Sequence, residues 1–409
     1  MSELWDFATI EGMDEPLTLK EAADRVGVSP STLRRWAEGG VIPEVDGSGR
    51  WTPAAVAHAR IVARLRQRGH RLDQIREAGR QGRLAYGYIA DILAGDEPPR
   101  SLTETARATG LEPALAGRFW TSVGFPPAAL ERLGDDDVEA LRYVASVLEA
   151  GFPLVAFLQL CRVYGVALSQ IADAEVRLFH LYVHEPLIRE GVPGLQMAEE
   201  MESLASDLLP LASPLMDYVH QRFLRHYVEQ DVVGHMEGEL EDEDAALGRM
   251  RIAIAFADLA GYTRFTEEEG EEEALSSIER FVEGVTNSLP DDARVVKTIG
   301  DEVMVVGQDA GRLVDWAVGF ASLFEERPEP RIGVHWGTAL YRDGDYYGRD
   351  INLASRIVAR ARGGEVLVSD SVVEGVGGAP HLSFEEIGQV KLKGFGQPRR
   401  LYRASRREP

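Results

Sequence analysis

The sequence predicts a multidomain protein. N-terminal all-α, winged helix-turn-helix units and a helical coupling segment precede a C-terminal α+β domain of ferredoxin-like topology. The 409 residues correspond to two to four domains at about 100 to 200 residues each. Apolar residues recur at helical spacing in the N-terminal half, whereas short apolar strands alternate with helices after Arg251. A composition of 44% hydrophobic and 27% charged residues excludes a disordered or collagen-like chain.

The charge distribution separates one basic segment from an acidic remainder. A net charge of −23 argues against a general nucleic-acid binder. Residues 17–83, however, contain 13 Lys and Arg against 7 Asp and Glu, a balance of +6, so the rest of the chain carries −29. One small basic domain is therefore expected on an acidic protein.

The N-terminus and the cysteine content indicate the compartment. Residues 1–16 form an acidic tail without the basic and apolar regions of a secretory signal. The longest stretches without charged residues, such as 150–161, fall short of the ~18 apolar residues of a membrane span. Cys161, the single cysteine, cannot form an intramolecular disulfide, which fits a reducing environment. We therefore expect a cytoplasmic protein with no membrane-spanning segment.

Residues 17–83 have the pattern of a winged helix-turn-helix. A turn at 27–30 separates two short helices, Ser29 is placed to cap the second, and Arg34 and Arg35 lie on that helix. The residues Asp-Gly-Ser-Gly at 46–49 suit a hairpin that would form the wing. The segments SPSTLRRWAEGGVIP and RLRQRGHRLDQI resemble MerR-type regulators, which implies DNA binding. Helix-turn-helix domains also serve as protein docking units, and this alternative stays open.

A second winged-helix-like unit, residues 84–171, repeats the first. Three landmarks recur at an offset of 83, Gly27 as Gly110, Pro30 as Pro113 and Pro43 as Pro126. Later positions recur at an offset of 82, as a wing of different length would produce. Gly117 takes the place of Arg34, and acidic side chains outnumber basic ones by 8 to 5 between Ser101 and Gly165. We expect a sensing or interaction unit, because few cations are available for phosphates.

Residues 172–240 are predicted to form a helical coupling or dimerisation region that ends in an acidic linker. Apolar side chains from Leu204 to Phe223 recur at spacings of three and four residues. Helix breaks or kinks are expected at four prolines, Pro186, Pro193, Pro210 and Pro214. His180 and His184 lie about one turn apart. Ordinary core or surface histidines, a metal pair that lacks a third ligand, and a pH switch are the alternatives for them.

Residues 241–409 have the pattern of one α+β domain. The strands RIAIAFADLA, ARVVKTIG, DEVMVVGQ and PRIGVHWGTAL, with the helices between them, give the order βαββαβ of a ferredoxin-like layer sandwich. Asp258 closes the first strand and Asp301 begins the second strand of the hairpin, so both carboxylates should meet at one sheet edge. Such a pair can hold Mg²⁺ together with nucleotide phosphates. Gly261 and Gly300 leave room for a triphosphate.

Three motifs in this domain, FADLAGYT, KTIGDEVM and GDYYGRDINLASR, are together similar to the class III nucleotidyl cyclase catalytic domain. The resemblance implies roles for individual residues: Asp258 and Asp301 as ligands of two Mg²⁺ or Mn²⁺ ions, Lys297 and Asp345 in adenine recognition, Asn352 and Arg356 in transition-state stabilisation, and Lys393 of KLKGFG in triphosphate binding. It also implies a homodimer. In that dimer each site takes its metal ligands from one protomer and its base-recognising and transition-state residues from the other.

The hydrogen-bonding groups of Lys297 and Asp345 favour ATP over GTP. Lysine only donates and ionised aspartate only accepts, which matches N1 and the exocyclic amine of adenine. Guanine presents the opposite pattern, at a cost of about 1 to 3 kcal/mol for each mismatch. We therefore expect an adenylate cyclase that converts ATP to 3',5'-cyclic AMP and pyrophosphate. The alternative is a DNA-binding transcriptional regulator whose cyclase-like domain senses nucleotide without catalysis.

Residues 118–160 resemble, more loosely, the regulatory region that precedes some soluble bacterial cyclases. The resemblance implies autoinhibition, with pH or a lipid as the input. The apolar segment LVAFLQL at 154–160 either lines a pocket for a small apolar or lipid ligand or belongs to the core of the second unit.

Overall fold

The computed structural model describes residues 17–42, 50–85, 100–126, 129–130, 133–192, 194–236, 248–324, 327–376 and 379–407. Contacts divide the chain into two units, Met1–Leu224 and Arg225–Pro409, and each is described by itself. The predicted tail at 1–16, the predicted wing at 46–49 and the predicted linker around residue 240 lie outside the described residues. The predicted domain boundaries stay predictions.

The first four helices form the expected helix-turn-helix. They are α1 (Leu19–Val26), α2 (Pro30–Glu38), α3 (Pro53–Gln67) and α4 (Leu72–Arg80). Gly27 ends α1 in a left-handed conformation (φ 74°), and the Ser29 hydroxyl accepts a hydrogen bond from the Thr32 N–H (3.2 Å) at the start of α2. Leu33 and Trp36 of α2 are buried against Trp51. Arg34 and Arg35 are left exposed on the opposite side of this helix.

The next four helices follow the same plan. They are α5 (Leu102–Thr109), α6 (Pro113–Val123), α7 (Asp135–Glu149) and α8 (Leu154–Phe179). An isolated antiparallel bridge joins Arg100 to Leu133, as another joins Leu17 to Trp51 in the first winged helix-turn-helix. These bridges lie 83 residues apart at one end and 82 at the other, which is the slip seen in the sequence. Trp120 is buried in the core of this second bundle. Its assignment as a sensing unit stays a prediction.

The coupling region contains a π-helical turn at His180–His184, α9 (Glu185–Arg189) and α10 (Gly194–Met236). A break at Pro210 or Pro214 is ruled out, because α10 continues through both, whereas a kink at either proline stays a prediction. Each proline removes one main-chain donor, a loss that a helix of 43 residues absorbs. His184 is buried, with Nε2 3.0 Å from the Gly82 carbonyl and Nδ1 3.0 Å from Nδ1 of His180. His184 therefore ties this turn to the end of the first winged unit.

One helical stretch of the described chain, Leu154–Arg189, is long and apolar enough to cross a membrane. Its most apolar 18-residue window has a mean hydropathy of 1.5, and 22% of that window is buried. Phe157, Leu158 and Cys161, near its start, are buried, and Phe157 and Cys161 pack in the core of the second bundle. The expectation that no segment spans a membrane stays a prediction.

The second unit is built on a mixed sheet with flanking helices. Its elements are β1 (Arg249–Leu259), α11 (Tyr262–Glu269), α12 (Glu271–Ser288), β2 (Ala293–Ile299), β3 (Glu302–Gly307), α13 (Ala310–Leu323), β4 (Pro330–Arg342), β5 (Asp345–Tyr347), α14 (Arg349–Val358), β6 (Val366–Ser369), α15 (Asp370–Val376), β7 (Leu382–Val390) and β8 (Arg399–Arg406). The strand order is β2-β3-β1-β4-β6-β8-β7, with β5 paired to β4. The first four strands have the predicted ferredoxin-like arrangement, and the predicted α+β fold is confirmed.

The two faces of this sheet carry different helices. On one face the alternate β1 residues Ala253, Ala255 and Ala257 pack with Phe281 of α12 and Leu313 of α13. On the other face Ile252, Ile254 and Phe256 pack with Ile351, Ala354 and Val358 of α14. We call this second side the α14 face. It carries Asp258, the next residue in the alternation of β1.

Candidate functional site

Asp258 and Asp301 lie together at one edge of the sheet. Asp258 is the penultimate residue of β1, and Asp301 occupies the tight turn between β2 and β3. Asp301 lies near enough to Asp258 to raise the pKa of its carboxyl group. Gly300 enters this turn with φ 64°, and Gly261 follows β1 with φ 76°, conformations that favour glycine. The topology thus brings the two predicted metal ligands to one place.

A row of charged side chains crosses the sheet at this edge. Glu302 of β3 and Arg331 of β4 are the direct cross-strand partners of Asp258, so all three side chains project on the α14 face. The Nε of Arg331 donates a 2.8 Å hydrogen bond to Oδ2 of Asp258, and Nη2 donates to the same oxygen. Two carboxylates and one guanidinium therefore lie side by side.

Burial makes this row electrostatically unfavourable for its carboxylates. Asp258 is only 7% exposed. Burial, reinforced by Asp301 and opposed by Arg331, raises its pKa to about 6. Burial, followed by repulsion from Asp258 and Asp301, raises the pKa of Glu302 to about 7. A site that holds negative charge at such a cost favours cations.

The donor set suits a hard divalent cation. Carboxylate oxygens are the ligands that Mg²⁺ takes from proteins, usually one or two at a time, with substrate phosphates completing the shell. Within the described residues no three His, Cys, Asp or Glu side chains are grouped so as to hold a metal by themselves. Asp258 and Asp301 therefore fit a metal that is shared with a nucleotide, rather than a closed structural site.

Lys297 and Asp345 form an ion pair on the same face. The Lys297 ammonium donates a hydrogen bond to Oδ2 of Asp345. The β2–β3 ladder shifts its register between Val295 and Lys297. Because of this bulge, Arg294 and Lys297 oppose Val306 and Met304, and both project on the α14 face. The ion pair is partly exposed, with 37% of the Lys297 and 23% of the Asp345 side chain accessible.

Asn352 and Arg356 are exposed on α14, one turn apart. The opposite side of that helix, with Ile351, Ala354 and Val358, packs on the sheet. The start of the helix is fixed by Asp350, whose Oδ2 accepts a 2.8 Å hydrogen bond from the Thr338 N–H. The buried His335 ring places Nε2 3.7 Å from Oδ1 of Asp350. The two predicted transition-state residues are thus open to solvent, and the Arg356 charge also acts on Glu302 of the same protomer, where it lowers the pKa.

Lys393 lies apart from any strand. It follows β7 in an irregular segment, where buried Leu392 separates exposed Lys391 from exposed Lys393. Neither lysine therefore belongs to a strand. The Lys391 carbonyl accepts a 2.8 Å hydrogen bond from Arg360, whereas the role of Lys393 stays a prediction.

Sequence reasoning missed Arg331, Glu302 and Arg294. Arg331 stands in the quoted strand PRIGVHWG, but its pairing with Asp258 depends on strand register. Glu302 directly follows Asp301, a proximity that was visible in the sequence. Arg294 donates a 2.7 Å hydrogen bond to the Tyr346 hydroxyl. The two residues are 52 positions apart, so no local sequence pattern predicts this contact.

Comparisons with known proteins identify two families and several relatives. A family model for the adenylate and guanylate cyclase catalytic domain matches residues 248–403, and one for MerR helix-turn-helix regulatory proteins matches residues 17–81. An adenylate cyclase of Streptomyces coelicolor is 31% identical over 292 residues, which cover 70% of this chain and 74% of that protein. A pH-sensitive adenylate cyclase of Mycobacterium tuberculosis is 30% identical over 366 residues, covering 86% and 89%. The crystal structure of the adenylyl cyclase CyaB from P. aeruginosa matches 39% of this chain and 96% of its own, at 24% identity and a TM-score of 0.35.

Proposed function

This chain belongs to the adenylate and guanylate cyclase family and is an adenylate cyclase, and from that premise we propose how it acts. It converts ATP to 3',5'-cyclic AMP and pyrophosphate at sites shared by the two protomers of a homodimer. The observation that carries this proposal is the joint presence, on the α14 face, of the Asp258–Asp301 edge and the Lys297–Asp345 pair. The first offers metal ligands, and the second matches a purine base.

Asp258 and Asp301 are the proposed ligands of two Mg²⁺ or Mn²⁺ ions. When bound, such ions would favour ionisation of the ribose 3'-hydroxyl and neutralise phosphate charge. The paired hydrogen bonds from Arg331 fix the orientation of the Asp258 carboxylate. The same guanidinium is a planar cation beside Asp258, and such a group is suited to bidentate recognition of phosphate oxygens.

Lys297 and Asp345 are proposed to select adenine. In this structure they satisfy each other. The ammonium group retains further N–H donors for N1 of the base, and the carboxylate retains acceptor capacity for the exocyclic amine. GTP would present a donor to the lysine and an acceptor to the aspartate, so it would bind less tightly.

Asn352 and Arg356 are proposed to serve the site of the partner protomer. They project from the exposed side of α14, whereas the metal ligands lie at the end of β1 and in the β2–β3 turn. Arg356 would stabilise the charge that develops on the α-phosphate, and Asn352 would orient the reacting groups by hydrogen bonding. Lys393 is the proposed triphosphate ligand. We also propose a cytoplasmic location, where Cys161 stays reduced.

Cyclic AMP formation by the purified full-length chain tests this function. We expect product from ATP in the presence of Mn²⁺ or Mg²⁺ and a loss of roughly 100-fold or more in Asp258→Asn, because metal-assisted charge stabilisation is worth several kcal/mol. Asp291→Asn, at an exposed position of the same unit, is the matched control and should retain activity. A wild-type chain that binds ATP but forms no product would support the alternative, a regulator that only senses nucleotide.

A second function, DNA binding, is favoured by the MerR match at residues 17–81. Arg34 and Arg35 are exposed on α2, the helix that would enter the major groove. We propose that the tandem winged units and the coupling helices control the geometry of the dimer. A small apolar or lipid ligand at residues 154–160 is the further partner proposed for this region.

A further inference from the structure

We infer that Arg294 is a positioning residue. It links the C-terminal part of the coupling helix α10 to β5, the strand that carries Asp345, the residue proposed to recognise adenine. The inference rests on the proposed function, because it concerns how Asp345 is held for the base. It goes beyond that function in assigning roles to Arg294, Tyr346 and Tyr227, none of which was given a role above. All three belong to the second unit, Arg225–Pro409.

The first part of the link joins β2 to β5. Arg294 and Lys297 project on the same face because of the bulge between them. Arg294 donates a 2.7 Å hydrogen bond to the Tyr346 hydroxyl, and Lys297 donates to the carboxylate of Asp345. Two consecutive residues of the three-residue strand β5 are therefore held by two cations of β2. These side-chain contacts add to the pairing of β5 with β4 in holding the strand.

The second part of the link joins Arg294 to α10. The guanidinium carbon lies 5.3 Å from the ring centroid of Tyr227 and 5.6 Å from that of Tyr346. Both distances are within the range of cation–π attraction. Tyr227 lies nine residues before the end of α10 as the structure describes it. Nearby Gln230 donates a hydrogen bond to the carbonyl of Asp291, two residues before β2 begins.

Burial of the Tyr346 side chain restricts the positions that its ring can take. Tyr346 is 5% exposed and packs with Ile252 and Val306 on the α14 face. A cavity of about 410 Å³ adjoins it, and its lining includes Tyr227, Asp231, Arg294 and Tyr341. The cavity leaves room for the Tyr227 ring to move relative to Arg294. A displacement of Tyr227 would thus change the position of Tyr346 and, one residue away, that of Asp345.

The test separates ligand binding from turnover. The dissociation constants of α,β-methylene-ATP and α,β-methylene-GTP are measured by calorimetry on the full-length chain. Removing the cation in Arg294→Met, or the ring in Tyr227→Leu, should weaken binding of the ATP analogue by about 3- to 10-fold. Binding of the GTP analogue should change less, so the preference for adenine falls. Tyr227→Phe keeps the ring and should retain wild-type affinity.

Two further variants complete the design. Because both substitutions break the same link, the double variant Arg294→Met/Tyr227→Leu should bind no more weakly than Arg294→Met alone. Arg251→Gln is the control, since Arg251 stacks on Trp336 of the same sheet at 5.5 Å and should leave both affinities unchanged. Thermal unfolding of each variant shows whether a loss of affinity is merely a loss of fold.

The outcomes distinguish this inference from the proposed function. Wild-type affinity in Tyr227→Leu, multiplying effects in the double variant, or equal weakening of both analogues would overturn the link even if cyclic AMP is formed. A chain that forms no cyclic AMP but shows the expected pattern of affinities would overturn the proposed reaction and support the link. A wild-type chain that binds neither analogue would contradict both.

Discussion

Arg331 donates hydrogen bonds from both Nε and Nη2 to the same oxygen, Oδ2, of Asp258, its direct partner across the β1–β4 ladder. Glu302 faces Asp258 from the opposite strand. The guanidinium of Arg331 is thus set against three carboxylates, those of Asp258, Asp301 and Glu302. Because this balance is negative and partly buried, the fold holds the site under repulsion that a divalent cation would relieve.

This repulsion predicts a specific pH dependence of stability. A carboxyl group with a raised pKa stabilises the folded chain below its unfolded-state pKa, and that contribution is lost as the pH rises through the folded-state pKa. For Glu302 the window runs from 4.5 to about 7. Relative to wild type, Glu302→Gln should therefore gain about 2 kcal/mol in the free energy of unfolding between pH 4.5 and pH 8.

Urea unfolding with a metal chelator, at both pH values, measures this gain. Mn²⁺ should stabilise the wild type more at pH 8 than at pH 4.5, since the carboxylates must be ionised to bind it. Glu283→Gln, at an exposed position on α12, serves as the control. Parallel pH profiles for wild type and Glu302→Gln would refute the prediction.

Asp350 should control the placement of Asn352 and Arg356. Asp350→Ala removes the acceptor of the Thr338 N–H at the start of α14, and we expect kcat to fall roughly tenfold with little change in KM for ATP. The interaction with His335, aided by Thr338, lowers the pKa of Asp350 below its ordinary 3.8. The stabilisation it provides is accordingly present above that value and lost as the pH falls further. Asp350→Asn, which keeps an acceptor, should lose less activity.

Gly165 should be required by the packing of the second bundle. A Cβ at this position of α8 would lie 2.6 Å from the carbonyl carbon of Val123 and closer still to its oxygen. The contacting atoms belong to the main chain of Val123, at the end of α6, so they cannot move aside as a flexible side chain could. Gly165→Ala should therefore cost about 1 to 3 kcal/mol in the free energy of unfolding. Gly117→Ala, whose Cβ would meet only a Leu102 side chain at 3.5 Å, is the control. Equal thermal stability of both variants would contradict this view.

Arg34 and Arg35 should determine how DNA affinity responds to salt. If each neutralises one phosphate, the double Arg34→Ala/Arg35→Ala variant should reduce the slope of log affinity against log salt by about 2. Fluorescence anisotropy with duplex DNA at several salt concentrations measures the slope. Arg118→Ala, exposed at the position of the repeat that corresponds to Arg35, should leave it unchanged. An identical slope in the double variant would argue for a docking role instead.

Periodicity and turn chemistry were sufficient to predict much of the fold, because they act locally. The helix-turn-helix around Ser29 and the βαββαβ order with Asp258 at a strand end both follow from residues near in sequence. Contacts set by strand register were beyond such reasoning. The pairing of Arg331 with Asp258, and of Arg294 with Tyr346, joins residues 73 and 52 positions apart. α10 continues through Pro210 and Pro214 because the many hydrogen bonds of a 43-residue helix outweigh the two main-chain donors that these prolines lack.

In the proposed homodimer, the exposed position of Asn352 and Arg356 on α14 would place the two halves of each active site on different protomers. A chain lacking Asp258 and a chain lacking Arg356 are then defective in different halves, and mixing them creates heterodimers with one complete site each. Equal amounts of two such inactive variants should recover about one quarter of the wild-type rate, since half of the dimers are mixed and each has half of its sites intact. Genetic complementation between two damaged copies is therefore the behaviour expected if the exposed side of α14 serves the site of the partner protomer.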